Sequence, residues 1–363
     1  MRSDGLRRFP AALHAALPDR FPHKYTLIDV NGGACRAIGR RPCNKRVLFR
    51  NGFLGYMYAP RRDAVGPFVE GTAAFAHRVE GLGVPFLYIQ LPAKFALEED
   101  LMPEGVAHYN PNEEALWTVA EISGHGVRAL DLVHAFAATR ADVEANFFRT
   151  DHHWRGRAAF EAAGLVAREL AEVLDDPALR EPPELDIGNW EELALKQAFL
   201  GSHGRRTGRW FAGIDDFEYF IPKFGTDIRR YMAGTLQTQG CFMESVLELR
   251  NLSRPIHVRN AFGTFGSDRT DVAFVNGGAS SKARILIVKD SFANPVAGFL
   301  ATVCREVVKV DPRRYSSGEE IFLAVLKHRP DAVVMLVNPT AIRNEKFILA
   351  PKVPEPIFKA NSL

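Results

Sequence analysis

A chain of 363 residues that is 47% hydrophobic and 25% charged has material for one large core and lacks the bias of a disordered, collagenous or disulfide-framework protein. Its 46 basic and 43 acidic side chains leave a formal charge of +3, a balance that favours neither nucleic acid nor a membrane as partner. The basic start has no apolar stretch of signal-peptide length and no later segment is long enough to span a membrane, so the chain reads as soluble.

Residues 69–82 carry apolar groups at helical spacing, and after Gly83 the run PFLYIQL (85–91) reads as a buried strand ending at Pro92. A helix over 113–122, with Asn112 as its cap, leads past two glycines into a short strand over 127–132. The alanine-rich stretch 157–174 is an amphipathic helix, and the acids and prolines that follow it open a linker or insertion. From 188 to about 280 the periodicity is poor, which predicts an irregular insertion of short strands and loops spanning about 180–282 within a single domain of 1–363. Order returns with strands over 284–288, 306–310 and 332–337, separated by helices over 295–304 and 319–327. This βαβαβ alternation implies an α/β fold with a parallel sheet covered on both faces, its site beyond the carboxyl ends of the strands.

Two segments there could carry chemistry. Ser291 in ILIVKDSFANPVAGFL stands where a strand stops and a helix begins, so its hydroxyl could be a nucleophile beside helix N–H groups, or merely a helix cap. In FFRTDHHWRG, residues two apart on an extended backbone face the same way, so Asp151 and His153 project together while His152 turns aside. An acid that orients a base is what a serine hydroxyl needs for attack at neutral pH, although such a pair could also only tie down a loop. Asp151, His152 and His153 together invite a metal reading as well, but no HExxH or second ligand cluster accompanies them, and no metal is assigned. Asn338, at the end of the strand AVVMLVN, and Asn294, just past the serine, are the candidate oxyanion or substrate-binding side chains, with turn or capping chemistry as the alternative. Trp190, Trp210, Phe217, Tyr219 and Phe220 could stack on sugar rings or lie in the core. The basic runs Arg205-Arg206 with Arg209 and Arg313-Arg314 could meet an anion or be solvated surface. Cys35, Cys43, Cys241 and Cys304 have no metal-finger spacing; Cys35 and Cys43 are near enough in sequence for a small loop disulfide in an exported protein.

The segments TDHHW (150–154) and ILIVKDSFANPVAGFL resemble the two signatures of the DHHW family, SGNH hydrolase-like proteins related to the AlgJ and AlgX type of alginate O-acetylation protein. LPDRFPHKY (17–25), RNGFLGYM (50–57), LPAK (91–94), FLGSHGRRTGRW (199–210) and DDFEYFIPKFGTD (215–227) extend the resemblance over most of the chain. It implies an SGNH hydrolase-like three-layer fold in which the DxH block precedes the serine block, a circularly permuted order. It further implies Ser291 as nucleophile, His153 as base and Asp151 as orienting acid, with Asn338 near the oxyanion asparagine. This chain departs from the SGNH pattern in having Lys289-Asp290 before the serine and LVNPT without the glycine or aspartate of a GxND block. The expected activity is O-acetyl transfer or acetyl-ester hydrolysis on an exopolysaccharide, through an acyl-Ser291 intermediate and without a cofactor. The implied partners are the polysaccharide and a membrane-bound acyl donor protein, with no nucleic acid, in an extracytoplasmic setting. The rival expectation is a carbohydrate-binding scaffold whose site has decayed.

Overall fold

The computed structural model describes residues 23–59, 62–266 and 271–349, so the first six residues of the LPDRFPHKY segment lie outside it. Helix α1 (Lys24–Ala37) leads into a small antiparallel sheet of β1 (Pro42–Cys43), β2 (Arg46–Leu48) and β3 (Leu54–Gly55). Then come α2 (Arg62–Glu80), β4 (Phe86–Gln90), α3 (Pro111–Gly124), β5 (Arg128–Asp131) and α4 (Gly156–Leu174). Strands β6 (Trp190–Phe199), β7 (Asp215–Pro222), β8 (Ile228–Met232), β9 (Thr235–Gly240) and β10 (Val272–Asn276) follow. The last part is β11 (Ser281–Lys289), α5 (Ala293–Val303), β12 (Cys304–Val310), α6 (Gly318–His328) and β13 (Ala332–Val337).

The central sheet has eight strands in the order β5-β4-β13-β11-β12-β10-β8-β9, and the five from β5 to β12 run parallel. Every residue of β4 and β13 is buried, the continuous apolar pattern of strands covered on both faces. At roughly 1.5–3 kcal/mol for each Val, Leu, Ile or Phe removed from water, these strands anchor the core. Helices α4 and α5 pack together, while α2 packs with α3 and α6, giving an α/β three-layer arrangement. The chain leaves β11 for β12 on one side and returns as β13 on the other. The carboxyl end of β11 is therefore a point where connections part, the place where open α/β sheets collect ligands.

Two expectations change. The helix over 111–124 is capped by Asn110, whose side chain accepts the Asn112 N–H; Asn112 is instead buried and bonded to the main chain of Ala93 and Phe95. The stretch 188–280 is also more ordered than its periodicity suggests. Strands β10, β8 and β9 extend the central sheet in antiparallel fashion, and β6 pairs with β7 in a separate two-stranded sheet. Strands β8 and β9, IRRYM and TLQTQG, are short and polar, with β9 at the sheet edge and β8 beside it, so neither leaves an apolar alternation to read.

Candidate active site

Ser291 sits in the turn between β11 and α5. The turn is closed by the Asp290 carboxylate, which accepts the Phe292 N–H at 2.9 Å and the Asn338 N–H at 2.7 Å. The end of β11 is thereby tied to the end of β13. Burial pushes the Asp290 carboxyl up, and these two N–H groups pull in the other direction. The N-cap position of α5 falls on Phe292 rather than on Ser291, so the serine hydroxyl is not used as a cap. It lies 2.8 Å from His153 Nε2.

His153 reaches Ser291 from the loop between a short helix, Arg140–Asn146, and α4. The backbone here is bent rather than extended, so the alignment of Asp151 with His153 has another cause than strand geometry. Asp151 Oδ1 accepts both the His153 main-chain N–H at 2.9 Å and Nδ1 at 2.5 Å, a side-chain turn that aspartate favours. Its other oxygen accepts the Ser202 N–H at 2.5 Å. Burial works to raise the Asp151 carboxyl, but the imidazoles of His153 and His152 and the Ser202 N–H outweigh it and hold the carboxyl well below its usual range. A charged Asp151 keeps a proton on His153 Nδ1 and leaves Nε2 as the acceptor facing the serine hydroxyl. The Phe262 ring lies flat against the imidazole, with centroids 3.7 Å apart and planes 8° from parallel.

The loop that carries the pair is fixed from beneath. Thr150 donates its main-chain N–H and its hydroxyl to Asp215 Oδ2, each at 2.7 Å, and its hydroxyl accepts the Gly201 N–H at 2.9 Å. A Cβ on Gly201 would stand 2.3 Å from that of Asp151, so only glycine permits this approach. The buried Lys94 Nζ donates to three carbonyls, those of Phe148 at 2.9 Å, Arg149 at 3.1 Å and Asp151 at 2.5 Å. Burial pushes its pKa down to about 7 against the pull of Asp215 and Asp151. The Trp154 indole donates to the Phe292 carbonyl at 3.0 Å, which links the histidine loop directly to the serine turn. Lys94→Met would strand the buried carbonyls of Phe148 and Asp151, while that of Arg149 keeps the Leu54 N–H, and we expect it to lower stability in urea by about 2 kcal/mol or more; an unchanged midpoint would show that these two carbonyls find other donors.

Ser291 and His153 open onto a cleft of about 340 Å³ whose walls include Asn294, Asn251, Asn260, Arg254 and Arg314. Asn294 lies there, its Oδ1 accepting from Lys309 Nζ at 3.4 Å. Asn338 does not. It is 2% exposed, its amide donates to the Pro92 carbonyl at 2.8 Å and its oxygen accepts the Thr340 N–H at 3.0 Å. Because Pro339 turns the chain at once, Asn338 is held as a brace between strand ends and lines a separate small pocket with Lys94 and His203. Trp190, Phe217 and Phe220 are buried and Tyr219 partly so, while Trp210 is 52% exposed. Of the basic residues, Arg209 pairs with Asp29 and Arg313 with Asp311. Asp151, His152 and His153 do bring potential ligand atoms within 4.8 Å of one another. The two His153 nitrogens are already bonded to Asp151 and Ser291, and His152 Nδ1 to Ser202 Oγ at 2.7 Å, so an ion would have to displace these bonds.

Comparison with known proteins agrees with this architecture. Residues 61–197 match the family model described as SGNH hydrolase-like domain, acetyltransferase AlgX. The structure of Bacillus cereus PatB1 superposes with a TM-score of 0.65 at 16% identity, over 84% of this chain and 97% of that one. A DHHW family protein from Eubacterium siraeum gives 0.65 at 19% identity, over 86% and 98%. The chain has an SGNH hydrolase-like fold. The O-acetyltransferase domain of Pseudomonas putida AlgJ shares this fold more loosely, with a TM-score of 0.50 at 15% identity over 82% of this chain and 91% of the domain. No curated protein matches the sequence.

Within this SGNH hydrolase-like fold, several supporting residues escaped residue-by-residue reading: Lys94, Gly201, Ser202, His203, Asp215 and Phe262. Lys94 lies in the LPAK segment, and 201–203 and 215 lie in the two segments FLGSHGRRTGRW and DDFEYFIPKFGTD, so the resemblance marked them without saying what they do. His203 is buried, and burial, with Lys94 and His152 nearby, holds its pKa well down. As a neutral ring it accepts the Arg46 Nε–H at 2.9 Å.

Proposed function

We propose that the protein is an SGNH-type serine acyl-transfer enzyme, an O-acetyltransferase or acetylesterase that acts on an exopolysaccharide outside the cytoplasm. The observation that carries this reading is the contact of Ser291 Oγ with His153 Nε2 at 2.8 Å, backed by Asp151 at 2.5 Å. In the first half-reaction His153 Nε2 takes the hydroxyl proton as Ser291 Oγ adds to the acetyl carbonyl. The tetrahedral intermediate then collapses, its leaving oxygen collects that proton, and an acetyl ester remains on Ser291. In the second half-reaction a sugar hydroxyl or water gives its proton to His153, adds to the ester carbonyl and releases Ser291. The Ser291 main-chain N–H and the Asn294 carboxamide are the donors we assign to the developing oxyanion.

The named relatives support transfer of an acetyl group to oxygen, since they include an AlgJ O-acetyltransferase domain and the family described by acetyltransferase AlgX; the polysaccharide acceptor is what the sequence resemblance implies. A membrane-bound protein that hands over the acyl group is the partner this reading calls for. Among the described residues no helix is long and apolar enough to cross a membrane. A carbohydrate-binding scaffold with a decayed site draws no support from a serine and histidine in hydrogen-bond contact.

The test is brief incubation with an activated acetyl ester, an acid quench and intact-mass measurement. One acetyl group added to the wild type and mapped to the peptide containing Ser291 is the expected result. Labelling by neither this ester nor a sulfonyl reagent, of the kind that gives the adduct known for PatB1, would turn the assignment towards the scaffold.

A further inference from the structure

Cys35 lies in the last turns of α1 and Cys43 in β1, and both are buried, at 9% and 4% exposure. With Leu48, Leu54, Leu200 and Phe211 they form a small apolar core apart from the main one. Both thiols are free in the structure, and that of Cys35 lies near enough to add to the rise in the Cys43 thiol that burial causes. The Arg40 N–H donates to the Cys35 carbonyl at 2.9 Å, which folds the chain between them into a tight connection. Two buried thiols that share so small a core and so short a connection need only a modest approach to reach bonding distance.

This corner of the molecule backs the candidate active site. Cys43 faces Arg46 across the β1–β2 pairing, and Arg46 donates to His203 Nδ1. The main-chain N–H of His203 donates to the Thr150 carbonyl at 3.1 Å. Leu200, in the same small core, directly precedes Gly201 and Ser202, which pack against and hold Asp151.

We propose that Cys35 and Cys43 are a disulfide-forming pair that staples α1 to the β1–β2 hairpin and so fixes the support beneath Asp151. Two S–H bonds break and one Sγ–Sγ bond forms. The two electrons and two protons pass to an external disulfide, which is reduced to two thiols. Burial raises the Cys43 thiol to about 12, so little thiolate exists in the folded protein and exchange there is slow. The bridge therefore forms while the chain is folding, and the same burial then shields it from reductants.

The experiment uses the wild-type chain, reduced and unfolded, then refolded with oxidised glutathione in excess, alkylated and digested with trypsin without reduction. Cleavage after Lys24, Arg36, Arg40 and Lys45 places the two cysteines in separate peptides, because the Arg41–Pro42 bond resists trypsin. The expected result is a joined species of residues 25–36 and 41–45 that separates on reduction, with Cys241 and Cys304 alkylated. Natively folded protein in which Cys35 and Cys43 are both alkylated, or in which either is joined to Cys241 or Cys304, would overturn the proposal. Closing so short a loop should raise the thermal midpoint of the joined form by about 3–4 °C over the reduced wild type. Equal midpoints would remove the stapling role.

Discussion

Ser291→Ala is expected to lower kcat/KM for a small chromogenic acetyl ester by about a thousandfold or more. The hydroxyl makes one polar contact, with His153 Nε2, and no cap on α5 depends on it, so the variant should fold as the wild type does. What disappears is the oxygen on which the proposed acetyl ester would form. The residue of activity would come from the remaining oxyanion donors and from substrate binding alone. An alanine variant that kept a tenth or more of wild-type turnover would show that the ester is cleaved by water acting without Ser291, and the covalent route would fall. The far-ultraviolet spectrum and thermal midpoint of the same sample separate that outcome from simple unfolding.

Asp151→Asn should cost about a thousand- to ten-thousandfold, although it changes one atom. Asp151 accepts on both oxygens: Oδ1 from the main chain and Nδ1 of His153, Oδ2 from the Ser202 N–H. A carboxamide can satisfy only one side. With its NH₂ towards His153, Nδ1 must become an acceptor, and the ring proton moves to Nε2, where it blocks uptake of the serine proton. With its NH₂ towards Ser202, two donors meet in a buried site and the loop loosens. The exchange also removes a stabilising group. Because the folded-state carboxyl is depressed, its contribution is complete above the ordinary aspartate pKa of about 4 and is lost as the pH falls towards the folded-state value. The variant's stability should therefore vary less with pH on the acid side than the wild type's, as denaturant midpoints at several pH values would show. Near-normal turnover by the variant would mean that His153 orients itself without the acid.

The strands and helices of 281–337 were legible because buried parallel strands leave continuous apolar runs such as RILIV and AVVMLV. Ser291 could be singled out by its place at the end of one of them. Asp151 and His153 were singled out as a pair by residue type and spacing, but for an inexact reason: the backbone bends, and a hydrogen bond within the turn does what alternation along a strand was meant to do. Asn338 misled because a strand end fixes where a residue lies and not which way its amide faces, and here Pro92 and Thr340 claim it. The supports beneath Asp151 and His153 were hidden for a related reason. Thr150, Gly201, Ser202 and Asp215 act through main-chain N–H groups and close approach, which leave no periodic trace. They come from the irregular-looking stretch whose polar strands had no apolar pattern to follow.

The strand order bears on how the chain comes together during synthesis. Strand β13 lies between β4 and β11, so the pairing of Phe86 with Val333 and of Gln90 with Val337 joins segments nearly 250 residues apart. Until that last strand emerges, β4 and β5 have an open hydrophobic flank and β11 lacks one neighbour. Contacts so distant along the chain are slow to form and leave sticky intermediates. A nascent chain is thus at its most aggregation-prone just before β13 emerges, and the same closing strand that ends this exposure also supplies the Asn338 N–H that seats Asp290 and the serine turn.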